Sequence, residues 1–193
     1  MNTATIPNIQ YPCINQEMTV ADAGIIIFQF HFLRMISNEE GTILGEYDEA
    51  LHDMRVASRR LRVVIDQFNY CYKKRSVKKI LKSLRKIGRN LGEVRDLDVI
   101  IDRLIEYKNN PSLKYGNDLQ LFYGFLERKR SIKRENLIVF LGSESYKSSK
   151  KFMAEFVKSP NHMVGTPIEM GKLGDFSNDR IEYQKAEIEK NLI

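Results

Sequence analysis

The sequence contains few cysteines. The two that are present, Cys13 and Cys71, form neither a CxxC pair nor a set with metal-ligand spacing. Neither a disulfide framework nor a zinc site is therefore indicated. We expect a reducing, cytoplasmic setting, with no bound metal and no cofactor.

Long apolar runs are also absent. The most apolar stretch, Ala23 to Ile36, is interrupted by Gln29, His31 and Arg34. It is shorter than the roughly 20 residues that a membrane-spanning helix needs. Residues 1 to 15 contain no Lys or Arg ahead of an apolar run, so they do not resemble a secretory signal. We therefore expect no membrane span, and we interpret Ala23 to Ile36 as a core helix.

Runs of alternating β-branched residues are lacking too, whereas helical periodicity is frequent. We predict an all-α fold, a four-helix bundle with short additional C-terminal helices. The predicted helices run from about Val20 to Asn38 with Thr19 as N-cap, Asp48 to Tyr72, Val77 to Tyr107, Asp118 to Leu141 and Glu144 to Lys158. Gly41, Thr42 and Gly45 indicate a connection, and Lys73 to Ser76 a turn.

The predicted organisation has three parts. Residues 1–15 form an N-terminal arm, 16–158 the helical bundle, and 159–193 a C-terminal extension. Glycines and prolines between 160 and 174 indicate irregular structure in the extension, and residues 179–191 are predicted to form one terminal helix.

Positive charge is concentrated in the middle of the chain. Residues 50–134 hold 22 of the 31 Lys and Arg but 9 of the 25 Asp and Glu, a local net charge of +13. The rest of the chain has a net charge of −7. The central segment therefore predicts a basic surface.

Two successive helices carry basic stripes opposite their apolar faces. On the first, His52, Arg55, Arg59 and Arg62 fall opposite Met54, Leu61 and Ile65. On the second, a basic stripe lies opposite a seam that runs from Ile80 to Leu104; it consists of Lys78, Lys82, Arg85 and Arg89. A single charged face is usually just solvated, but two matching stripes with few local carboxylates favour a polyanionic ligand.

The motif His52-x-x-Arg55-Val56-x-x-Arg59-Arg60-Leu61-Arg62, followed by Leu91-Gly92-x-x-Arg95-Asp96-Leu97-Asp98, resembles the CHAD family, the conserved histidine α-helical domain. The resemblance implies an all-helical fold whose basic residues line a groove that binds inorganic polyphosphate without catalysis. It implies ligand roles for His52, Arg55, Arg59, Arg60 and Arg62, with Lys78, Lys82, Arg85 and Arg89 as the opposing wall. On a helical wheel, however, Arg60 projects away from the other three arginines.

Two further groups of residues are ambiguous. Lys129 and Lys133 share a stripe with apolar residues of the fourth long helix, so they either line the phosphate channel or reach solvent past the core. We favour the channel and add Lys133 to the site. Arg95, Asp96 and Asp98 mix both charges, so we interpret them as structural, since two carboxylates alone are a weak metal signal.

The resemblance covers about Val20 to Lys158, which corresponds to one half of a CHAD domain, because no second His-x-x-Arg helix follows Pro160. We expect either a homodimer whose two basic faces share one channel, or a tail that folds back over the open face.

Three other functions stay open at this point. A basic face also suits nucleic acid, although residues 52–62 contain no aromatic residue for base stacking. Phosphoryl transfer by His52 is less favoured, because the chain lacks a Walker-type loop and alternating Glu-x-Glu strands. The chain could also be an accessory subunit of a phosphate-processing enzyme.

Overall fold

Helices make up nearly all of the chain that the structure describes. The structure is a computed structural model, and it describes residues 12–45, 48–109, 117–158, 162, 171–173 and 175. The helices are α1 (Val20–Ser37), α2 (Glu39–Leu44), α3 (Asp48–Gln67), α4 (Lys74–Lys108), α5 (Asn117–Gly142) and α6 (Glu144–Lys158), with a 3₁₀ turn at Asn69–Cys71. The prediction of an all-α fold is therefore confirmed.

Most predicted helix boundaries agree with the structure. The Thr19 side chain caps α1 by accepting a hydrogen bond from the Asp22 backbone N–H at 3.1 Å, as expected of an N-cap. The predicted second helix was too long, because α3 ends at Gln67 and a 3₁₀ turn follows it. The turn predicted at 73–76 was also wrong, since α4 already begins at Lys74.

The short helix α2 lies where the sequence indicated a connection. It ends at Gly45, which has a left-handed backbone with φ of 69° and donates its N–H to the Gly41 carbonyl at 2.8 Å. Arg134 of α5 donates to the Ile43 carbonyl at 3.0 Å, and its guanidinium occupies the space that a Cβ at position 45 would need. Glycine at 45 therefore ends α2 and admits the arginine that ties α2 to α5.

One apolar core joins α1, α3, α4, the second half of α5 and α6. Its fully buried members include Phe28, Met54, Ile80, Leu84 and Phe156. α4 packs against α3 on one side and against α5 on another. Beyond the main core, the far half of α4 meets α5 through a smaller cluster of Leu97, Ile101 and Leu126. The long α4 therefore positions both neighbouring helices.

The tail residues that the structure describes contact one end of the bundle. The His162 carbonyl accepts from the Lys73 N–H at 2.7 Å, and its ring is hydrogen-bonded to Ser76 at 2.9 Å. Lys172 forms an antiparallel bridge with Thr19 at the start of α1. Residues 1–11 of the predicted arm and the predicted helix at 179–191 lie outside the described residues.

The segment Val20–Leu44 is long and apolar enough, by length and composition, to cross a membrane. In the structure it consists of two helices, and half of its most apolar 18-residue window is buried inside the bundle. This burial agrees with the prediction that Ala23 to Ile36 belongs to a core helix.

Candidate anion-binding site

A cleft of about 330 Å³ opens between α3 and α4 on the basic side of the bundle. Its lining consists of His52, Arg55, Val56, Ser58, Arg59 and Arg62 of α3 together with Gly88 of α4. Four of the five α3 residues that the sequence assigned to the site are thus brought together in one cleft. Their charged or ionisable groups can meet a single anionic ligand there.

The amphipathic pattern of α3 explains why these side chains share one face. Met54, Leu61 and Ile65 are fully buried and fix the opposite side of the helix in the core. His52 and Arg59, which lie on the other side, are consequently exposed. The helical-wheel prediction for this face is confirmed.

Arg55 differs from its neighbours because it already has an anionic partner. Its Nη2 lies 3.3 Å from Asp96 Oδ1 of α4, and the side chain is 41% exposed. To reach Asp96, the guanidinium passes over Gly92, where a Cβ would come within 2.4 Å of Nη1. Gly92 is needed for this close approach, and the two motifs of the sequence therefore meet in space through Arg55, Gly92 and Asp96.

Gly88 has a different role from Gly92. A Cβ built at Gly88 would meet nothing within 4 Å. The missing side chain therefore leaves open the part of the cleft that faces α4. Val56 and Ser58 are further lining residues that sequence reasoning did not select; Ser58 donates its hydroxyl proton to the Arg55 carbonyl at 2.8 Å.

The basic stripe of α4 continues the positive surface beside the cleft. All four of its members are exposed: Lys78, Lys82, Arg85 and Arg89. Arg85 and Arg89 flank Gly88 along the helix, but the cleft lining includes Gly88 and none of these four side chains. The α4 stripe therefore extends the basic surface along the helix, where a ligand longer than the cleft would meet it.

Arg60 lies on another side of α3, next to α1. Burial, together with the charges of Arg60 and Arg34, lowers the pKa of His31 on α1 to about 4. Arg60 is exposed and is not part of the cleft lining. The structure thus agrees with the helical wheel, and it does not place Arg60 with the ligand residues that the resemblance implied.

Lys133 of α5 is also outside the cleft lining. Its Nζ lies 2.8 Å from Glu93 Oε2 of α4, so its charge is compensated by an ion pair. One turn earlier, Lys129 is exposed. The expectation that the α5 seam opens into the cleft is therefore not met, because Lys133 uses its charge to join α4 and α5.

The acidic part of the second motif stabilises the contact between α4 and α5. Asp98 is buried, with 2% of its surface exposed, and it accepts a hydrogen bond from Arg130 Nε. A buried carboxylate needs such a partner to stay ionised at low cost. Within the residues that the structure describes, no group of three or more His, Cys, Asp or Glu side chains could hold a metal ion.

A comparison with known protein families shows to which family the chain belongs. The model of the CHAD domain matches residues 26–192. The chain belongs to the CHAD family. The match extends well past Lys158, so our expectation that the resemblance ends there was wrong, and the tail beyond α6 is included.

Two solved structures have a similar fold. The CHAD domain from the plant Ricinus communis matches with a TM-score of 0.68 and 21% identity, over 91% of this chain and 56% of that one. PptA from Streptomyces chartreusis matches with a TM-score of 0.63 and 15% identity, over 88% of this chain and 60% of that one. The chain thus spans less than two thirds of the length of either structure. No curated protein matched its sequence.

Proposed function

We propose that this CHAD chain binds inorganic polyphosphate along the exposed surface of α3 and α4. The observation that carries the proposal is the α3–α4 cleft, where Arg55, Arg59, Arg62 and His52 converge. Among the described residues, Asp96 is the carboxylate that lies within ion-pair distance of this group. Such an excess of cations is best explained by an anionic ligand that is not part of the chain.

The spacing of the cations suits a repeating anion. Residues one helical turn apart recur every 5.4 Å or so, and polyphosphate presents about one charge per phosphate along a flexible chain. Each arginine offers a planar fork that binds two phosphate oxygens and stays charged at any cellular pH. The cleft holds one part of the chain in this proposal, and the exposed α4 stripe binds the phosphates that follow.

The proposed activity is binding without catalysis. In this proposal Arg59 and Arg62 hold phosphate groups by charge and hydrogen bonds, and His52 adds charge when it is protonated. Any chemistry on polyphosphate would then belong to a partner enzyme in the cytoplasm. The test is to incubate the protein with polyphosphate and magnesium or manganese. Hydrolysis by the wild type that disappears in His52→Ala would contradict this part of the proposal.

The main alternative is a nucleic-acid ligand, and the chemistry of the lining does not favour it. The α3–α4 cleft presents aliphatic, hydroxyl, guanidinium and imidazole groups but no Phe, Tyr or Trp. Proteins that bind single-stranded nucleic acid usually stack the bases on such rings. A ligand that consists of phosphates alone makes full use of the groups that are present.

The test is a titration of labelled polyphosphate into the wild type and into an R55Q/R59Q/R62Q variant. A matched control, R60Q/R75Q/R103Q, removes three exposed arginines outside the cleft and lowers the net charge equally. We expect the cleft variant to lose at least about tenfold more affinity than the control at equal helicity. Equal losses would show that the cleft has no special role, and more effective competition by an RNA of equal charge would favour nucleic acid.

A further inference from the structure

The outward face of α5 is apolar over most of its length. Its exposed apolar side chains include Leu121 (70% exposed), Phe125 (52%), Ile132 (58%) and Val139 (74%). The opposite face of the same helix supplies Leu126, Leu137 and Phe140 to the interior. A helix that is apolar on both sides is normally covered on both sides, and an exposed apolar stripe of this length marks an interaction surface.

The spacing of the stripe is that of a coiled-coil seam. The positions 121, 125, 128, 132, 135 and 139 are separated alternately by four and three residues, which is the a/d pattern of the heptad repeat. Between positions 121 and 139 the stripe is about 27 Å long at 1.5 Å per residue. Such a seam fits a straight apolar helix face packed against it, rather than a small ligand.

Two central positions of the seam carry opposite charges. Position 128 is arginine and position 135 is glutamate, and both side chains are exposed. The Arg128 guanidinium lies back over Gly124 of its own helix, 4.0 Å from where a Cβ would be. Among the residues that the structure describes, neither Arg128 nor Glu135 forms an ion pair.

We propose that a second copy of this chain covers the α5 seam, with the two α5 helices packed antiparallel about a two-fold axis near position 130. In that arrangement Leu121 faces Val139 of the second copy, and Arg128 faces Ile132. Arg128 also lies one layer away from Glu135 of the second copy, and the symmetry forms this ion pair twice. The charges that interrupt the seam in one chain are thus complementary between two.

The complementary charges of the seam favour a second copy as the occupant. Arg128 and Glu135 form no ion pair among the residues that the structure describes, and a two-fold axis brings each of them near its opposite charge. An isologous dimer would supply a second set of helices from identical chains. The inference concerns α5 alone and does not depend on the nature of the anionic ligand.

The first test is the mass of the chain by sedimentation velocity. We expect a concentration-dependent dimer for the wild type and a monomer of equal helicity for F125E/I132E. The control L33E/I100E changes two apolar residues of similar exposure, 46% and 45%, on α1 and α4, and should remain dimeric. Removal of one central apolar anchor from an interface commonly weakens binding about thirtyfold. The double variant F125E/I132E should therefore raise the dimer dissociation constant by more than that factor.

The second test is charge reversal across the seam. R128E alone and E135R alone should each weaken the dimer, and R128E/E135R should restore it because the opposite charges meet again. A monomeric wild type at high concentration, or a dimer that F125E/I132E leaves intact, would overturn the proposal. A dimer that F125E/I132E disrupts but the double reversal fails to restore would overturn the antiparallel arrangement. Failure of either test leaves the polyphosphate titration unaffected, since neither Arg128 nor Glu135 belongs to the α3–α4 cleft.

Discussion

Polyphosphate affinity should fall steeply as the salt concentration rises. The slope of the logarithm of the association constant against the logarithm of the salt concentration should give the number of cations that contact the ligand. For single-stranded polyanions, the logarithm of the association constant falls by about 0.7 per neutralised phosphate for each tenfold rise in salt. The three cleft arginines alone predict a slope of about −2. A slope of about −5 is predicted if the α4 stripe also binds, which brings seven permanent cations into contact: Arg55, Arg59, Arg62, Lys78, Lys82, Arg85 and Arg89.

The two slopes are easy to tell apart experimentally. Between 50 and 200 mM salt, they correspond to losses of about twentyfold and about a thousandfold in affinity. The assay is fluorescence anisotropy of end-labelled polyphosphate at pH 8. We expect the steeper slope for long chains and, in a K78Q/K82Q/R85Q/R89Q variant, the shallower one. A slope near zero for the wild type would refute ionic binding altogether.

Three further predictions concern single residues. Asp96→Asn should tighten polyphosphate binding several-fold in a titration, because it removes the anion that now occupies Arg55; weaker binding would contradict this. Arg130→Gln should lower the free energy of unfolding by about 3 kcal/mol in urea, because it leaves the buried Asp98 carboxylate without its guanidinium; a loss below 1 kcal/mol would contradict this. Since the folded pKa of His31 is about 4 against 6.5 in the unfolded chain, wild-type stability should fall as pH drops from 6.5 toward 4. The fall from pH 7 to 5 should be smaller in His31→Leu, and an unchanged fall would refute the assignment.

The long helices could be predicted from the sequence because their periodicity extends over many turns. α5 and α6 begin and end within one residue of the predicted positions. α2 could not be predicted in the same way, since six residues are too short for a periodic signal, and glycine lies both inside it at position 41 and directly after it at position 45. α2 is also stabilised by Arg134 of α5, which lies far along the chain and donates a hydrogen bond to the Ile43 carbonyl.

In the candidate site, too, features of a single helix could be predicted from the sequence, whereas contacts between helices could not. The face of α3 that carries His52 and Arg59 follows from its own amphipathic pattern. The ion pairs of Arg55 with Asp96 and of Lys133 with Glu93 join different helices, so their partners become known only when the helices are packed. A lysine on an apolar stripe has the same pattern whether it faces a channel or an acidic neighbour, and the structure shows the second for Lys133.

The most direct test of the central claim is to observe the arginine side chains themselves. The Nε–Hε resonances of arginine can be followed by NMR while unlabelled polyphosphate is added. We predict that the resonances of Arg55, Arg59 and Arg62 shift strongly, while those of Arg60 and Arg75 stay nearly unchanged. Equal shifts at all five positions, or shifts confined to Arg60 and Arg75, would contradict polyphosphate binding in the α3–α4 cleft.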